Sequence, residues 1–371
     1  MSKAINRQLF SNIARITDGS FNNRNSNNRG STLSGEATCF FFLSDYRYGG
    51  CATFTAHLLH SLNRREVFSI AKRFESRKRN FGYEILYQNV PLEYFDVVKN
   101  IFITDMYQRF ECLEKLIKRE DRGKGEVTIV IHDPGEIFKF NEPYLKYWNI
   151  ITIRKSTQQF LRDKYGIESK FIYHPFYPYQ IQQKSDGEEE EEKNKNQVVS
   201  ISRIDFYKNI EVILDANKGA ENPVKIYGWA NSKYVSQRLD TDSFNQYYQG
   251  KYVKSFNATS EILRKAKFMV DLSFLPKDGG GTQYTFLDAI YHNCAIILNR
   301  RWIENVDAKY RDFKEGENCY AVSNAEELKE LLNNAKNIDT SKIVQNARKL
   351  LDRHVNKVEW NKKSCPYNVK V

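Results

Sequence analysis

Short apolar blocks separated by amphipathic stretches recur from Ala37 to His354, and this alternation predicts the elements. CFFFLS, EVFSIAK, NIFITDM and EVTIVIH read as strands, since brief continuous apolar runs mark strands covered on both faces. Residues 51–62 and 107–118 carry helical spacing, and WNIITIRKSTQQFLRDKYGI reads as a strand leading into a helix. Strand and helix in regular alternation predict βα units on a parallel sheet.

The rhythm stops after FIYHPFYPYQ and resumes at VVSIS. A helix over 209–217, the strand VKIYG, helical stretches at 234–239 and 260–265, and the strand FMVDLS follow. A helix through Tyr291, the strand AIILN, and helices over 325–333 and 343–354 complete the chain. The expected organisation is a polar leader over 1–36, an α/β domain over 37–180, a linker or loop over 181–197, a second α/β domain over 198–335, and C-terminal helices over 336–371 free to pack back on the first domain. NNRNSNNRGS makes the leader too polar to repay its ordering entropy. The linker carries Glu188 to Glu192 in succession, a self-repelling block that stays solvated.

At 371 residues, 41% of them hydrophobic, the chain has enough apolar surface for two cores. No run of 18 uncharged apolar residues occurs, and residues 1–10 lack a signal-peptide core, so a soluble, cytoplasmic protein is expected. Cys39, Cys51, Cys112, Cys294, Cys319 and Cys365 show no CxxC spacing, which argues against a zinc site or disulfide framework and for a reducing compartment. The net charge of +11 suits a phosphate-rich partner, either nucleic acid or an anionic membrane surface. A Lys- and Asn-rich composition spread evenly explains it equally, because no compact basic run stands out.

Four constellations sit at strand ends, where α/β sheets bind ligands. Ser44 to Gly50 joins CFFFLS to a helix, and Gly49 and Gly50 let backbone approach a phosphate or an acceptor hydroxyl. His132 and Asp133 end VTIVI ahead of a Pro-Gly turn; His132 can polarise a hydroxyl and Asp133 can accept its proton, or Asp133 simply caps the next turn. Arg203 and Lys208 stand at the mouth of a strand-to-helix turn, able to converge on a diphosphate or to remain solvated cations. Asp278 to Tyr284 is a triglycine turn opening a helix. Gly280 and Gly281 can form an anion-cradling nest, the amides of Thr282, Gln283 and Tyr284 point outward, and Asp288 shares a helix face with Tyr284. A carboxylate there can accept two bonds from a ribose diol.

The order SISRIDFYKN, VKIYGWA, ILRKAKFMVDLS, GGGTQYTFLDAIYHNCAIIL resembles the donor domain of GT-B glycosyltransferases, specifically the retaining family 4 group. Gly49-Gly50, His132 and KFIYHPF extend the resemblance loosely over the first half. It implies two Rossmann-like parallel-sheet domains facing each other across a cleft. Arg203 and Lys208 would hold the diphosphate of a UDP- or GDP-sugar, with Gly228 also on the donor side and Asp288 where the family has a ribose-binding Glu. The family's first Glu falls on Gly280, so either Asp278 or backbone amides serve the sugar.

The implied reaction is metal-independent hexosyl transfer with retention, needing no cofactor beyond the donor. Arg203, Lys208 and the helix amides would stabilise charge on the leaving phosphate, each donor being worth on the order of 3 kcal/mol. Asp240-Thr241-Asp242 lacks the preceding strand of a metal-binding DxD. A glycan or small hydroxyl acceptor is favoured, with a lipid-linked sugar at a membrane also open. The motif order and the His132-Asp133 turn also resemble, distantly, phage DNA α-glucosyltransferases, which makes hydroxymethylated DNA an alternative. A noncatalytic nucleic-acid-binding protein on a degenerate scaffold is the reading from another class.

Overall fold

The computed structural model describes residues 38–44, 49–96, 98, 100–106, 110–120, 126–137, 142–179, 195–251, 254–274 and 279–355. The leader, Asp45 to Tyr48, the glutamate run, Asp278 and Cys365 lie outside them.

The first domain begins with β1 (Thr38–Phe42), α1 (Gly50–Ser61), β2 (Glu66–Ile70), β3 (Arg79–Gly82) and β4 (Ile85–Val90). It continues through β5 (Asn100–Asp105), α2 (Phe110–Glu120), β6 (Val127–Ile131), β7 (Asn149–Thr152), α3 (Lys155–Tyr165) and β8 (Lys170–Phe171). The sheet order is β3-β4-β2-β1-β5-β6-β7-β8, parallel except for β3. β1 shows why its run is continuously apolar. Phe40 and Phe42 enter one core while Cys39, Phe41 and Leu43 enter another, because successive side chains take opposite faces.

The second domain holds β9 (Gln197–Ile201), α4 (Ile210–Asn217), β10 (Val224–Tyr227), α5 (Ser232–Arg238), α6 (Thr241–Tyr247), β11 (Tyr248–Gly250) and α7 (Phe256–Leu263). β12 (Ala266–Asp271), α8 (Tyr284–Tyr291), β13 (Ala295–Asn299), α9 (Arg300–Glu304), β14 (Tyr320–Val322), α10 (Ala325–Asn334) and α11 (Ser341–Val355) follow. Its sheet is parallel throughout, ordered β11-β10-β9-β12-β13-β14.

Two elements differ from the sequence expectation for identifiable reasons. The β3–β4 hairpin is unexpected, because its turn places Tyr83 and Glu84 at φ 53° and 61° without the usual Gly or Asn. Contacts from elsewhere hold it: Tyr83 N donates to Lys254 O at 2.8 Å, and His60 Nε2 donates to Tyr83 O at 2.6 Å. α7 starts ahead of the expected helix because Ser255 caps it, accepting from Ala258 N. Within the described residues the helix expected over 107–118 is present as α2 (Phe110–Glu120).

The two domains share a core. His57 of α1 stacks on Phe176 at 4.7 Å and on Tyr284 of α8 at 4.6 Å. Tyr179, in the segment that closes the first domain, stacks on Phe256 of α7 at 4.3 Å. α11 returns to the same segment, with Phe176 N donating to His354 O at 3.0 Å. All six histidines of the chain are buried.

Candidate donor and acceptor site

The carboxyl ends of both sheets meet between the domains. From the first domain come the α1 start, the ends of β5 and β6, and Arg154 after β7. From the second come the β9–α4 turn and the α8 start.

Gly49 caps α1 at φ 90°, which requires glycine, and a Cβ on Gly49 or Gly50 would meet no described atom within 4 Å. Gly50 is therefore bare over open space rather than by packing necessity. His132 is buried, edge-on to Phe54, with Nε2 2.8 Å from the Thr104 carbonyl. A carbonyl only accepts, so Nε2 carries the proton; burial lowers the ring's pKa to about 4, leaving it neutral. Asp133 Oδ1 accepts from Gly135 N at 2.7 Å, the capping role that the Pro-Gly turn allowed.

The β9–α4 turn is fastened on both sides. Ile204 N donates to Trp229 O, Phe274 N donates to Tyr207 O, and Asn209 in left-handed geometry donates its amide to Leu272 O at 2.6 Å. Lys208 Nζ reaches Ser273 Oγ at 2.5 Å and Asp271 Oδ2 at 3.4 Å. It bridges the ends of two neighbouring strands. Arg203 stays exposed, and its charge opposes the burial that raises the Cys51 thiol pKa across the boundary. Arg203 therefore lies within electrostatic reach of the α1 start.

The triglycine turn serves differently from an open nest. Gly280, at φ 68°, donates its N–H to Trp302 O at 2.7 Å and accepts from Asp312 N at 2.7 Å, while Trp302 Nε1 donates to Gly281 O. A Cβ at Gly280 would lie 2.3 Å from Val306 Cγ2, so glycine is needed for packing. The Gly280 amide is spent on Trp302. The donors that helix geometry leaves over at this point are the Tyr284 and Thr285 amides, at the start of α8 with Gln283 as cap, since Phe286 N bonds Gln283 O at 3.0 Å. Thr282 Oγ1 lies 3.2 Å from His174 Nδ1, and Tyr284 donates its hydroxyl to Pro175 O at 3.0 Å. Both side chains join the domains.

No family model and no curated protein matches the sequence. Solved structures do match in shape. Anabaena Alr3699/HepE, in complex with UDP and glucose, aligns with a TM-score of 0.65 at 13% identity, over 88% of this chain and 97% of its own. An α-glucosyltransferase in complex with UDP and a DNA 13-mer containing an HMU base gives 0.65 at 13%, over 89% and 98%. The lipopolysaccharide outer core galactosyltransferase WaaB gives 0.56 at 13%, over 86% and 96%. The chain has the GT-B fold.

Within this GT-B frame the remaining expected residues separate. Gly228 is required by backbone crossing: at φ 150°, its Cβ would lie 1.7 Å from Ser202 O. Asp288 does share a face with Tyr284, but that face is turned inward. Its Oδ1 accepts from the Tyr179 hydroxyl at 3.0 Å, and burial raises its pKa to about 7. An Asp, one methylene shorter than Glu and engaged by Tyr179, is committed to the domain boundary.

Sequence reasoning missed Arg154, Glu136 and Cys51. Arg154 is half-buried, its guanidinium 5.6 Å from the Trp302 ring and its stem against Gly281; desolvation lowers its pKa, opposed by Asp133, Glu136 and Cys51. Glu136 accepts from His132 N at 2.8 Å and from the Cys51 thiol at 3.8 Å. Burial, with Asp133 and Asp105 nearby, pushes its pKa well up. Also missed were Tyr207 and Trp229, 57% and 42% exposed beside Arg203. The segment KRFESRKR is a compact basic loop after all: Lys78 and Arg79 pair with Glu66 and Glu75, while Lys72, Arg73 and Arg77 project from the carboxyl end of β2.

Proposed function

We propose that this GT-B chain transfers a hexose from a nucleotide-diphosphate sugar to a hydroxyl acceptor, with retention and without a metal. The observation that carries this is the β9–α4 turn, where Lys208 is held by Ser273 and Asp271 and Arg203 lies within electrostatic reach of Cys51 at the start of α1. In this reading the two cations and the N-termini of α1 and α8 serve one diphosphate, the ligand that such donors suit. Lys208, held by Ser273 and Asp271, is preorganised to stabilise a leaving phosphate. Exposed Tyr207 and Trp229 offer faces for the donor base. Neutral His132 presents an acceptor nitrogen rather than a charge, and suits a hydroxyl of the sugar or acceptor. Two of the cited neighbours are complexes with UDP, HepE with UDP and glucose and the α-glucosyltransferase with UDP and DNA, which supports a uridine donor. The five cysteines among the described residues are free, which supports a reducing cytoplasm.

Two acceptor readings have observations behind them. Asp105, Asp133 and Glu136 at the strand ends suit the hydroxyls of a glycan. Lys72, Arg73 and Arg77 on the acceptor domain suit DNA carrying a hydroxymethylated base, or an anionic membrane bearing a lipid-linked sugar. The test is a thermal-shift panel of UDP-, GDP-, ADP- and TDP-sugars, followed by transfer of labelled hexose to glycans and to hydroxymethylated DNA. A donor at 100 times its Kd adds about 2.7 kcal/mol of stability. No shift with any donor, together with salt-sensitive DNA binding, would establish the noncatalytic reading instead.

A further inference from the structure

The first turn of α1 and the turn after β6 bring together a thiol, an imidazole and a carboxylate that the transfer chemistry does not use as a set. The donor atoms of Cys51, His132 and Glu136 lie within 4.8 Å of one another. His132 and Glu136 are each oriented by a bond to a backbone group. His132 Nε2 donates to Thr104 O at 2.8 Å, which leaves the lone pair on Nδ1. Glu136 Oε2 accepts from His132 N at 2.8 Å, which leaves Oε1 for the Cys51 thiol. Imidazoles and carboxylates that ligate metals are held by outer partners in this way.

We propose that Cys51, His132 and Glu136 form a binding site for a zinc-class divalent cation, and that its occupancy blocks transfer. The thiol-to-carboxylate contact is the protonated form of the site. The ion takes the place of the Cys51 proton, which leaves to solvent, and thiolate, Nδ1 and Oε1 become ligands while Oε2 keeps the His132 amide. No redox change is involved. Zinc bonds of about 2.3 Å to sulfur and 2.0 Å to oxygen put tetrahedral ligands about 3.5 Å apart, so the 3.8 Å Sγ–Oε1 contact needs little adjustment. A sulfur, nitrogen and oxygen set selects zinc or cobalt over magnesium, which takes oxygen alone. Asp105 and Asp133 add acidic charge around the site, against Arg154 and Arg203. Three protein ligands leave a fourth position, and an ion on His132 removes the nitrogen that faces substrate.

Cobalt(II) titrated into the full chain tests this directly. The expected result is a thiolate-to-cobalt charge-transfer band with tetrahedral visible bands, displaced by zinc, lost in Cys51→Ser and kept in Cys294→Ser. Zinc should inhibit transfer reversibly with EDTA, while magnesium should not. Glu136→Gln, which preserves shape, should weaken cobalt affinity at least tenfold, and it decides the matter if Cys51→Ser fails to fold. No thiolate band in the wild type, a band that survives Cys51→Ser, or unchanged affinity in Glu136→Gln would each overturn the site. These optical readouts do not depend on the transferase activity.

Discussion

The Tyr179 hydroxyl donates to Asp288 Oδ1 at 3.0 Å, tying the segment that closes the first domain to α8 of the second. Tyr179→Phe leaves a buried carboxyl with a lost donor and should cost about 1–3 kcal/mol, read by chemical denaturation. The pH dependence has a definite sign. Asp288 is raised to about 7 in the fold from an ordinary 3.8, so its contribution is fully present below about 4 and is lost as pH rises to about 7. The buried histidines, held low, act in the opposite direction. They cancel when wild type is compared with Asp288→Asn, and that difference in Tm should fall steadily from pH 4 to 7.

Arg203 and Lys208 should part company on stability while agreeing on activity. Either alanine variant is expected to lower kcat/KM at least about a hundredfold, the scale of one lost transition-state donor. Arg203 is exposed, so Arg203→Ala should hold stability within about 0.5 kcal/mol. Lys208→Ala strands Asp271, whose side chain is 1% exposed, and should cost about 3 kcal/mol. Wild-type turnover in both variants would refute the diphosphate site.

Two glycines give opposite outcomes on substitution by alanine. Gly228→Ala forces a Cβ into the Ser202 carbonyl at φ 150°, and should cost at least about 3 kcal/mol or prevent folding. Gly50→Ala enters open space at the helix start and should gain up to about 1 kcal/mol. It should nevertheless weaken donor binding, since the methyl occupies the approach. Calorimetric Tm beside donor titration separates the two effects.

The basic loop decides the acceptor. Replacing Lys72, Arg73 and Arg77 together by alanine should leave donor-induced stabilisation intact. If DNA is the acceptor, the slope of log K against log salt should shrink by about 2 to 3 units. An unchanged slope would favour a glycan.

The alternation of strands and helices was legible because parallel sheets covered on both faces need continuous apolar runs, and β1, β6, β9 and β12 supply them. The β3–β4 hairpin was not, since contacts with Lys254 and His60 hold its turn. Arg203 and Lys208 were legible from their place at a strand end. Arg154 was not: its importance comes from lying over Gly281, a contact between domains that no local pattern records. Asp288 shows the converse, a residue in register with a family position whose side chain is taken by Tyr179.

Because His57 is sandwiched between Phe176 and Tyr284, heat cannot melt one half of the molecule and spare the other. The two sheets should unfold as one cooperative unit and give a single calorimetric transition despite their separate topologies.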